Sequence, residues 1–302
     1  MSDHPTTQTR ADDPDNCGQP DPLTIENDAD AAVPHTHPHP TGKGVLAIDM
    51  DDVLCNTNQT IVDMHHDLFD VSPPITLDEF HHYLYWHNRG WGNQTQTVEM
   101  VSQLYRNGLM DRPRLVPGAK EGLETLKKMG YTLIIITARS ESQREGTEEW
   151  LAQNLPDIFD EIHFTGAFNH LIPATKEEHE GHAAKRAVVS HHKRTKHEVM
   201  MQTNALLLVD DSAENALTCA RLEPHKQVLL FGSYPWNAEI RNPADPENPD
   251  DKKTYVELEK EGKLDEARQR RQKRIDEAWL PQGVTRVKDW NEVVDYVKGL
   301  DK

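Results

Sequence analysis

Two carboxylates directly after a short apolar run are the residues of this sequence best suited to chemistry. Asp49 and Asp51 follow Val45–Ile48, which Gly44 precedes. The run predicts a strand that is buried on both faces of a parallel sheet. On an extended backbone, residues two apart point to the same side, so both carboxylates face one space. Their repulsion favours a divalent cation or a shared proton there, whereas the simpler alternative is an acidic turn after a buried strand.

Other polar residues fall at the same edge of the predicted sheet. Thr137 ends a second apolar strand, Lys196 begins a helix, and Asp210 and Asp211 follow the later strand 205–209. Each has an ordinary alternative: a β-branched strand residue, a solvated lysine, or an aspartate that caps the next helix. A lysine is nevertheless electrostatically disfavoured at a helix N-terminus. Because ligands of open α/β sheets bind at the carboxyl ends of the strands, the set predicts one shared site.

This set of side chains suits phosphoryl transfer. Asp49 and Asp210 offer oxygen ligands to Mg²⁺. Asp49 can also attack phosphorus to form an aspartyl-phosphate, while Asp51 protonates the leaving oxygen and then deprotonates the hydrolytic water. Thr137 and Lys196 can hold the phosphoryl oxygens, where negative charge must be stabilised.

These residues resemble the four motifs of the haloacid dehalogenase-like superfamily of phosphatases. The motifs are Asp49–Leu54, Thr137, Lys196 and Asp210–Asn215, and the resemblance covers about 44–235. Order, spacing and predicted secondary structure all agree with the superfamily pattern. The resemblance implies the aspartyl-phosphate mechanism and a Rossmann-like fold.

The resemblance also implies a magnesium site. Its ligands are the Asp49 side chain, the Asp51 main-chain carbonyl and the Asp210 side chain, with Asp211 acting through water. Dehalogenases of the superfamily lack the carboxylate found here at Asp51, and the ATPase branch has threonine there. The carboxylate therefore favours a phosphatase.

Two other lysines, Lys185 and Lys193, are alternatives for the lysine of the third motif. We prefer Lys196 because it begins a capped helix 14 residues before Asp210 (210 − 196). A Lys-x-Glu-Val sequence before an Asp-Asp strand resembles the nucleotidase branch of the superfamily.

A closer resemblance is to the 5′(3′)-deoxyribonucleotidase-like group, through a small helical cap and the stretches 231–237 and 286–290. Aromatic residues of the cap are candidates for stacking on a base, although such rings more often form the core of a small bundle. Trp91, between two glycines, is the best of them. The expected substrate-binding residues are Thr137, Ala138, Arg139, Lys196 and Trp91.

The alternation of predicted strands and helices along the chain predicts an α/β fold with a doubly wound, mainly parallel Rossmann-like sheet. Residues 1–43 are polar and are expected to form a disordered tail. The phosphatase domain spans 44–302, with a helical cap at about 58–112 and a charged helical extension at about 238–283. Within these, a capping box at Thr76 predicts a helix to about His87, and a single charged helix is expected at about 253–279.

Composition limits the partners of the chain. It has 302 residues and a net charge of −18, which disfavours stable binding to nucleic acid or to an anionic membrane. No apolar run approaches the roughly 20 residues of a membrane span. Three widely spaced cysteines indicate reduced thiols in the cytoplasm or nucleus.

The sequence therefore predicts a Mg²⁺-dependent phosphomonoester hydrolase that acts on a small phosphorylated substrate, with a nucleotide as the leading class. A sugar phosphate or another small metabolite is the first alternative. The second alternative is a non-catalytic scaffold of the same fold, which predicts erosion of the motif set. Protein partners stay open.

Overall fold

The computed structural model describes residues 42–167 and 194–300. The predicted tail and the alternatives Lys185 and Lys193 fall outside these ranges, apart from the last two residues of the tail. The strands are β1 Val45–Ile48, β2 Thr132–Thr137, β3 Glu161–Phe164, β4 Ala205–Asp210, β5 Gln227–Phe231 and β6 Val284–Val287. The α-helices are α1 Thr57–Leu68, α2 Gln94–Arg106, α3 Ala119–Lys128, α4 Arg144–Asn154, α5 Lys196–Gln202, α6 Ala213–Arg221, α7 Tyr255–Lys260, α8 Leu264–Glu277 and α9 Trp290–Leu300. Short 3₁₀ helices cover Leu77–Glu79, Tyr85–His87, Glu141–Gln143, Pro235–Asn237 and Pro249–Lys252.

One parallel sheet has the strand order β3-β2-β1-β4-β5-β6, which confirms the predicted doubly wound fold. The chain starts at the centre and winds first to one side and then to the other. Ile48 of β1 is in register with Ile135 of β2 and Val209 of β4. Because the three strands are neighbours and run in one direction, the residues that follow them meet at one edge.

Both faces of β1 are buried, as its continuous apolar run predicts. Leu46 and Ile48 pack in a cluster that includes Leu123 of α3 and Trp290 of α9. This packing requires a glycine in α3, because a Cβ on Gly122 would lie 2.7 Å from Cε3 of Trp290. Val45 and Ala47 pack in a second cluster that includes residues of α5 and α6.

Residues 58–112, called the cap below, contain α1 apart from its first residue, two short 3₁₀ helices and α2. The capping box at Thr76 forms, but the predicted helix to about His87 is wrong, since only Leu77–Glu79 and Tyr85–His87 are helical. Asn88 gives the physical reason. Its Oδ1 accepts from the backbone N–H groups of His81 and His82, and its Nδ2 donates to the His82 carbonyl. These bonds replace those of a continuing helix.

The charged helix predicted at about 253–279 is two helices, α7 and α8. Gly262 separates them with a φ of +68°, a left-handed conformation that glycine adopts without steric cost. Within the described ranges, no helix has the length and apolar character needed to cross a membrane.

Candidate active site

Lys196 joins the ends of β1 and β4. Its Nζ lies 2.7 Å from Oδ1 of Asp49 and 2.7 Å from Oδ2 of Asp210, and all three side chains are at most 8% exposed. A capping box of Thr195 and Glu198 fixes the first turn of α5, where Lys196 is the first residue. Burial disfavours the ammonium, but Asp210 and Asp49 attract it and hold the pKa of Lys196 above its usual value.

Asp49, Asp210 and Asp211 form a buried carboxylate group. One oxygen of each lies within 4.8 Å of the others. Burial, opposed by Lys196, raises the pKa of Asp49 well above its usual value, and burial followed by the neighbouring Asp52 and Asp210 does the same for Asp211. Bringing several carboxylates together in a dry site is costly unless a cation or a proton balances them.

Two aromatic donors hold Asp211. Tyr83 of the cap donates its hydroxyl to Oδ2 at 2.6 Å, and Trp236 donates its indole N–H to the same oxygen at 2.7 Å. The other oxygen, Oδ1, is buried and makes no hydrogen bond within the described ranges. Asn237 donates to the backbone carbonyl of Asp211 at 3.0 Å. Asp211 is therefore fixed in orientation while one of its oxygens stays available.

This donor set fits Mg²⁺. The three carboxylates supply hard oxygen ligands, which Mg²⁺ prefers, and the buried Oδ1 of Asp211 has the vacant lone pairs that a cation or its water shell would use. Asp210 is positioned by backbone and side-chain donors: the Ser212 N–H at 2.8 Å from Oδ1 and the Asn215 amide at 3.2 Å.

Asp51 points to a different set of partners. Its carboxylate accepts from Arg139 through Nη2 at 2.6 Å and Nε at 3.0 Å, and from the Thr57 hydroxyl at 2.5 Å. Its side chain is not among the three grouped carboxylates. Burial raises its pKa, but the attraction and hydrogen bonds of Arg139 outweigh burial and hold the pKa of Asp51 below its usual value. Asp51 is thus held as a carboxylate.

The end of β2 supplies Thr137, Ala138 and Arg139. Thr137 is fully buried, and its hydroxyl accepts the backbone N–H of Arg139 at 3.2 Å. Ala138 is partly exposed. The guanidinium of Arg139 was expected to contact substrate, but in this structure it bonds Asp51 on one side and the Thr147 hydroxyl, at 3.0 Å, on the other. A substrate-binding role for this segment stays a prediction.

Trp91 lies in the interior of the cap. It is fully buried, with ring centroids 4.9 Å from His65 and 4.7 Å from Tyr85. Its position between two glycines is therefore compatible with a packing role in the cap. Burial favours the alternative that the cap aromatics form a small core, and the ligand contact of Trp91 loses its support.

Sequence reasoning missed Tyr83, Trp236 and the Arg139–Asp51 pair. A signal existed for Trp236, which lies in the stretch 231–237 singled out above. For Tyr83 no local pattern was available, because its partner Asp211 is 128 residues away. Arg139 directly follows the Thr-Ala of the second motif, but a partner cannot be read from that position.

The chain belongs to the haloacid dehalogenase-like hydrolase family, whose model matches residues 46–202. The matched segment contains Asp49, Thr137 and Lys196, and the carboxylates of β4 follow it. No curated protein matches this sequence.

The solved structures to which this chain is similar have low sequence identity. An L-2-haloacid dehalogenase from Xanthobacter autotrophicus is 11% identical with a TM-score of 0.44, covering 85% of this chain and 98% of its own. A structure described as a predicted phosphatase from Clostridium acetobutylicum is 13% identical with a TM-score of 0.47 and the same coverage. A haloacid dehalogenase-like hydrolase from Streptococcus pneumoniae is 13% identical with a TM-score of 0.41, covering 63% of this chain and 85% of its own. The family assignment rests on the family model.

Proposed function

We propose that this hydrolase is a magnesium-dependent phosphomonoesterase in which Asp49 is the nucleophile. The carrying observation is the position of Lys196, whose ammonium lies 2.7 Å from both Asp49 and Asp210 inside a buried group of carboxylates. A buried lysine between two carboxylates supplies the positive charge that a phosphoryl dianion needs. The complete motif set also argues against the scaffold alternative.

In the proposed mechanism, Asp49 attacks phosphorus and displaces the alcohol, leaving a phosphoaspartate. Lys196 neutralises part of the charge on the nucleophile and on the phosphoryl oxygens. The arriving phosphate dianion raises the pKa of Asp51, which takes up a proton from solvent and gives it to the leaving oxygen. Arg139 favours the resulting carboxylate, and this form deprotonates the water that hydrolyses the phosphoaspartate.

Asp49, Asp210 and, through water, Asp211 would hold the magnesium ion, with the Asp51 carbonyl as the remaining protein ligand. When bound, Mg²⁺ supplies charge neutralisation at the phosphoryl group and permits the carboxylates to stay ionised together. Tyr83 and Trp236 keep Asp211 oriented for this purpose through their hydrogen bonds to its Oδ2.

A nucleotide is the substrate class that we propose first. The supporting observation is that two aromatic side chains, Tyr83 and Trp236, bond Asp211 and also line a neighbouring cavity, so aromatic surface for a base lies close to the reacting phosphate. A sugar phosphate is the second candidate. Polar residues of the adjoining cavity, such as His81 and Arg268, support it because they offer hydrogen bonds to hydroxyl groups.

The test is phosphate release from a panel of nucleotides, sugar phosphates and phenyl phosphate, with Mg²⁺ or with EDTA. We expect Mg²⁺-dependent release that is abolished in Asp49→Asn, because the amide cannot act as the nucleophile. The variant should fold, since burial already disfavours a charge at this position. Its folding is checked by circular dichroism and urea unfolding.

Asp63→Asn is the matched control, because Asp63 is an exposed carboxylate of α1 whose described partner is Gln59. It should hydrolyse every ester at the rate of the wild type. Activity retained in Asp49→Asn would reject the nucleophile assignment. Release led by nucleotides supports the first substrate class, and release led by sugar phosphates supports the second.

A further inference from the structure

A cavity of about 550 Å³ lies between the cap, the 3₁₀ turn after β5 and the helices α7 and α8. We call it the distal cavity. Its volume is within the range of small-molecule sites. The polar residues that matter here are His81, His82, His87, Arg268, Arg271 and Arg274.

The distal cavity adjoins the carboxylate group. Tyr83 and Trp236 line it, and both donate a hydrogen bond to Oδ2 of Asp211. One layer of side chains therefore separates the cavity from the proposed catalytic centre. Since Tyr83 belongs to the cap, a movement of the cap that breaks its bond to Asp211 would join the two spaces.

The wall formed by α8 carries more arginines than carboxylates. Arg271 and Arg274 share Glu239, while Arg241, Arg270 and Arg274 share Asp251. Three of these arginines, Arg241, Arg271 and Arg274, line the cavity and are balanced by the two carboxylates, in a chain whose net charge is −18. A local excess of positive charge in an acidic protein attracts an anionic ligand to that place.

The other acidic residues of the lining do not cancel this excess. Asp250 pairs with Lys253 at 2.8 Å and with Lys263 at 3.2 Å. Glu214 also lines the cavity, but it is exposed to solvent. The positive side of the cavity is therefore the side formed by α8.

Arg271 is the best placed of the four arginines. It lines the cavity, its side chain is 15% exposed, and one Nη donates to the carbonyl of Pro235. Its Nε is buried and makes no hydrogen bond within 42–167 and 194–300. The nearest carboxylate oxygen, Oε2 of Glu239, is 3.8 Å from this Nε, and the other oxygen of Glu239 is paired with Arg274. Arg271 thus keeps donor capacity that an anion in the cavity would use.

We propose that the distal cavity binds a second anionic group, a phosphate or a carboxylate, of the substrate whose phosphoryl group reacts at Asp49. This inference rests on the proposed phosphatase function. The arginines that line the cavity lie outside the family-matched segment 46–202. The preferred substrates are then phosphomonoesters with a second negative group several bonds away from the reacting phosphate.

The experiment compares kcat/KM for matched pairs of esters with Mg²⁺ present: fructose bisphosphate with fructose monophosphate, adenosine bisphosphate with adenosine monophosphate, and phosphoglycerate with glycerol phosphate. We expect the member with two anionic groups to be preferred in at least one pair. Arg271→Gln should lower kcat/KM for that member roughly ten- to a hundred-fold, the range of a lost hydrogen bond to a charged group. Phenyl phosphate should change by less than about threefold.

Three variants separate charge from structure. Arg271→Lys keeps the charge and should recover part of the preference. Lys273→Gln removes one positive charge from an exposed position of α8 that does not line the distal cavity, so it should behave as wild type. Arg268→Gln, at a more exposed position of the lining, should cause a smaller loss of the same kind and remains informative if Arg271→Gln fails to fold.

Several outcomes would overturn the inference. One is no preference for two anionic groups in any pair, and another is an equal loss for phenyl phosphate in Arg271→Gln. A third is that sulfate changes the rate of phenyl phosphate hydrolysis in the wild type but not in Arg271→Gln. The cavity would then bind a free anion and not a second group of the substrate.

Failure of the proposed function is recognised separately, since no ester, phenyl phosphate included, would then be hydrolysed. In that case, calorimetric titration of Asp49→Asn with the same two-anion compounds tests whether the distal cavity binds an anion. Binding that weakens about tenfold or more when Arg271→Gln is added supports the anion site. Unchanged or undetectable binding rejects it.

Discussion

The hydroxyl of Tyr83 lies 2.6 Å from Oδ2 of Asp211, although 128 residues separate them in the sequence. The bond connects the cap to the end of β4. Asp211 is fully buried, and Asp49 and Asp210 are at most 5% exposed. We therefore expect the substrate to enter after the cap moves and this hydrogen bond breaks.

Tyr83→Phe should therefore loosen the cap while the rest of the fold stays intact. Hydrogen–deuterium exchange should become faster in the cap backbone, and the free energy of unfolding should fall by about 1–2 kcal/mol, because a hydrogen bond to a carboxylate is lost. Tyr85→Phe is the control, since the Tyr85 hydroxyl bonds Asn58 within the cap at 3.3 Å. Equal acceleration in both variants would contradict a specific connection between Tyr83 and Asp211.

Lys196→Met should destabilise the protein in EDTA and less so in Mg²⁺. Without the ammonium, Asp49 and Asp210 are left as uncompensated buried carboxylates, at a cost of about 3–5 kcal/mol in the free energy of unfolding. A bound divalent cation takes over part of the neutralisation. Urea unfolding under both conditions measures the difference.

Lys226→Met is a suitable control for this prediction, because Lys226 is a half-buried lysine that donates to the carbonyl of Ala205 instead of a carboxylate. The free energy of unfolding lost in Lys226→Met should be the same with and without Mg²⁺. If Lys196→Met were destabilised equally with and without Mg²⁺, the cation would not share the site of the lysine.

Arg139→Met should give a pH-dependent loss of stability. In the wild type, the depressed pKa of Asp51 contributes stability that is complete above the unfolded value of about 3.9 and is lost as pH falls through the folded value. Without Arg139, burial raises the pKa of Asp51. The loss, about 3 kcal/mol at neutral pH, should therefore shrink as the pH falls and Asp51 becomes protonated.

Urea unfolding at a series of pH values from neutral to about 4 tests this prediction. Arg139→Lys keeps the charge and should lose less stability at neutral pH, although it cannot reproduce the two-nitrogen contact. A loss in Arg139→Met that is constant with pH would show that packing, and not the charge of Asp51, explains the effect.

Trp91→Ala should act on the stability of the cap and leave substrate preference unchanged. Removing a fully buried indole costs about 3–5 kcal/mol, whereas Trp91→Phe should cost clearly less because most of the volume is retained. The ratio of kcat/KM for a nucleotide to that for phenyl phosphate should be unchanged in Trp91→Phe. A selective loss for nucleotides would restore the stacking interpretation.

The arrangement of Lys196, Asp49 and Asp210 could be predicted because it depends on few local facts. Apolar runs define the strands, parallel winding brings their carboxyl ends together, and a capping box at Thr195 fixes where the helix begins. None of these steps requires knowledge of how distant side chains pack.

The cap could not be predicted to the same depth. The capping box at Thr76 marks a helical start but gives no length, and the competing bonds of Asn88 end the turn early. The position of Tyr83 depends on that irregular backbone. The burial of Trp91 could not be predicted for a related reason, since the sequence shows a loop while the core around it is made by distant residues.

The long connection between β5 and β6 bears on how substrate specificity can change among members of the family. The two strands are parallel neighbours, and a single helix would suffice to join them. Here the connection contains α7, α8 and two 3₁₀ turns. Because closing a longer connection adds little entropy cost, the part of this segment that follows Asn237 can lengthen, shorten or be replaced while the sheet and the hydrogen bonds of Trp236 and Asn237 to Asp211 stay intact. It is the natural place to graft a new specificity without rebuilding the machinery of hydrolysis.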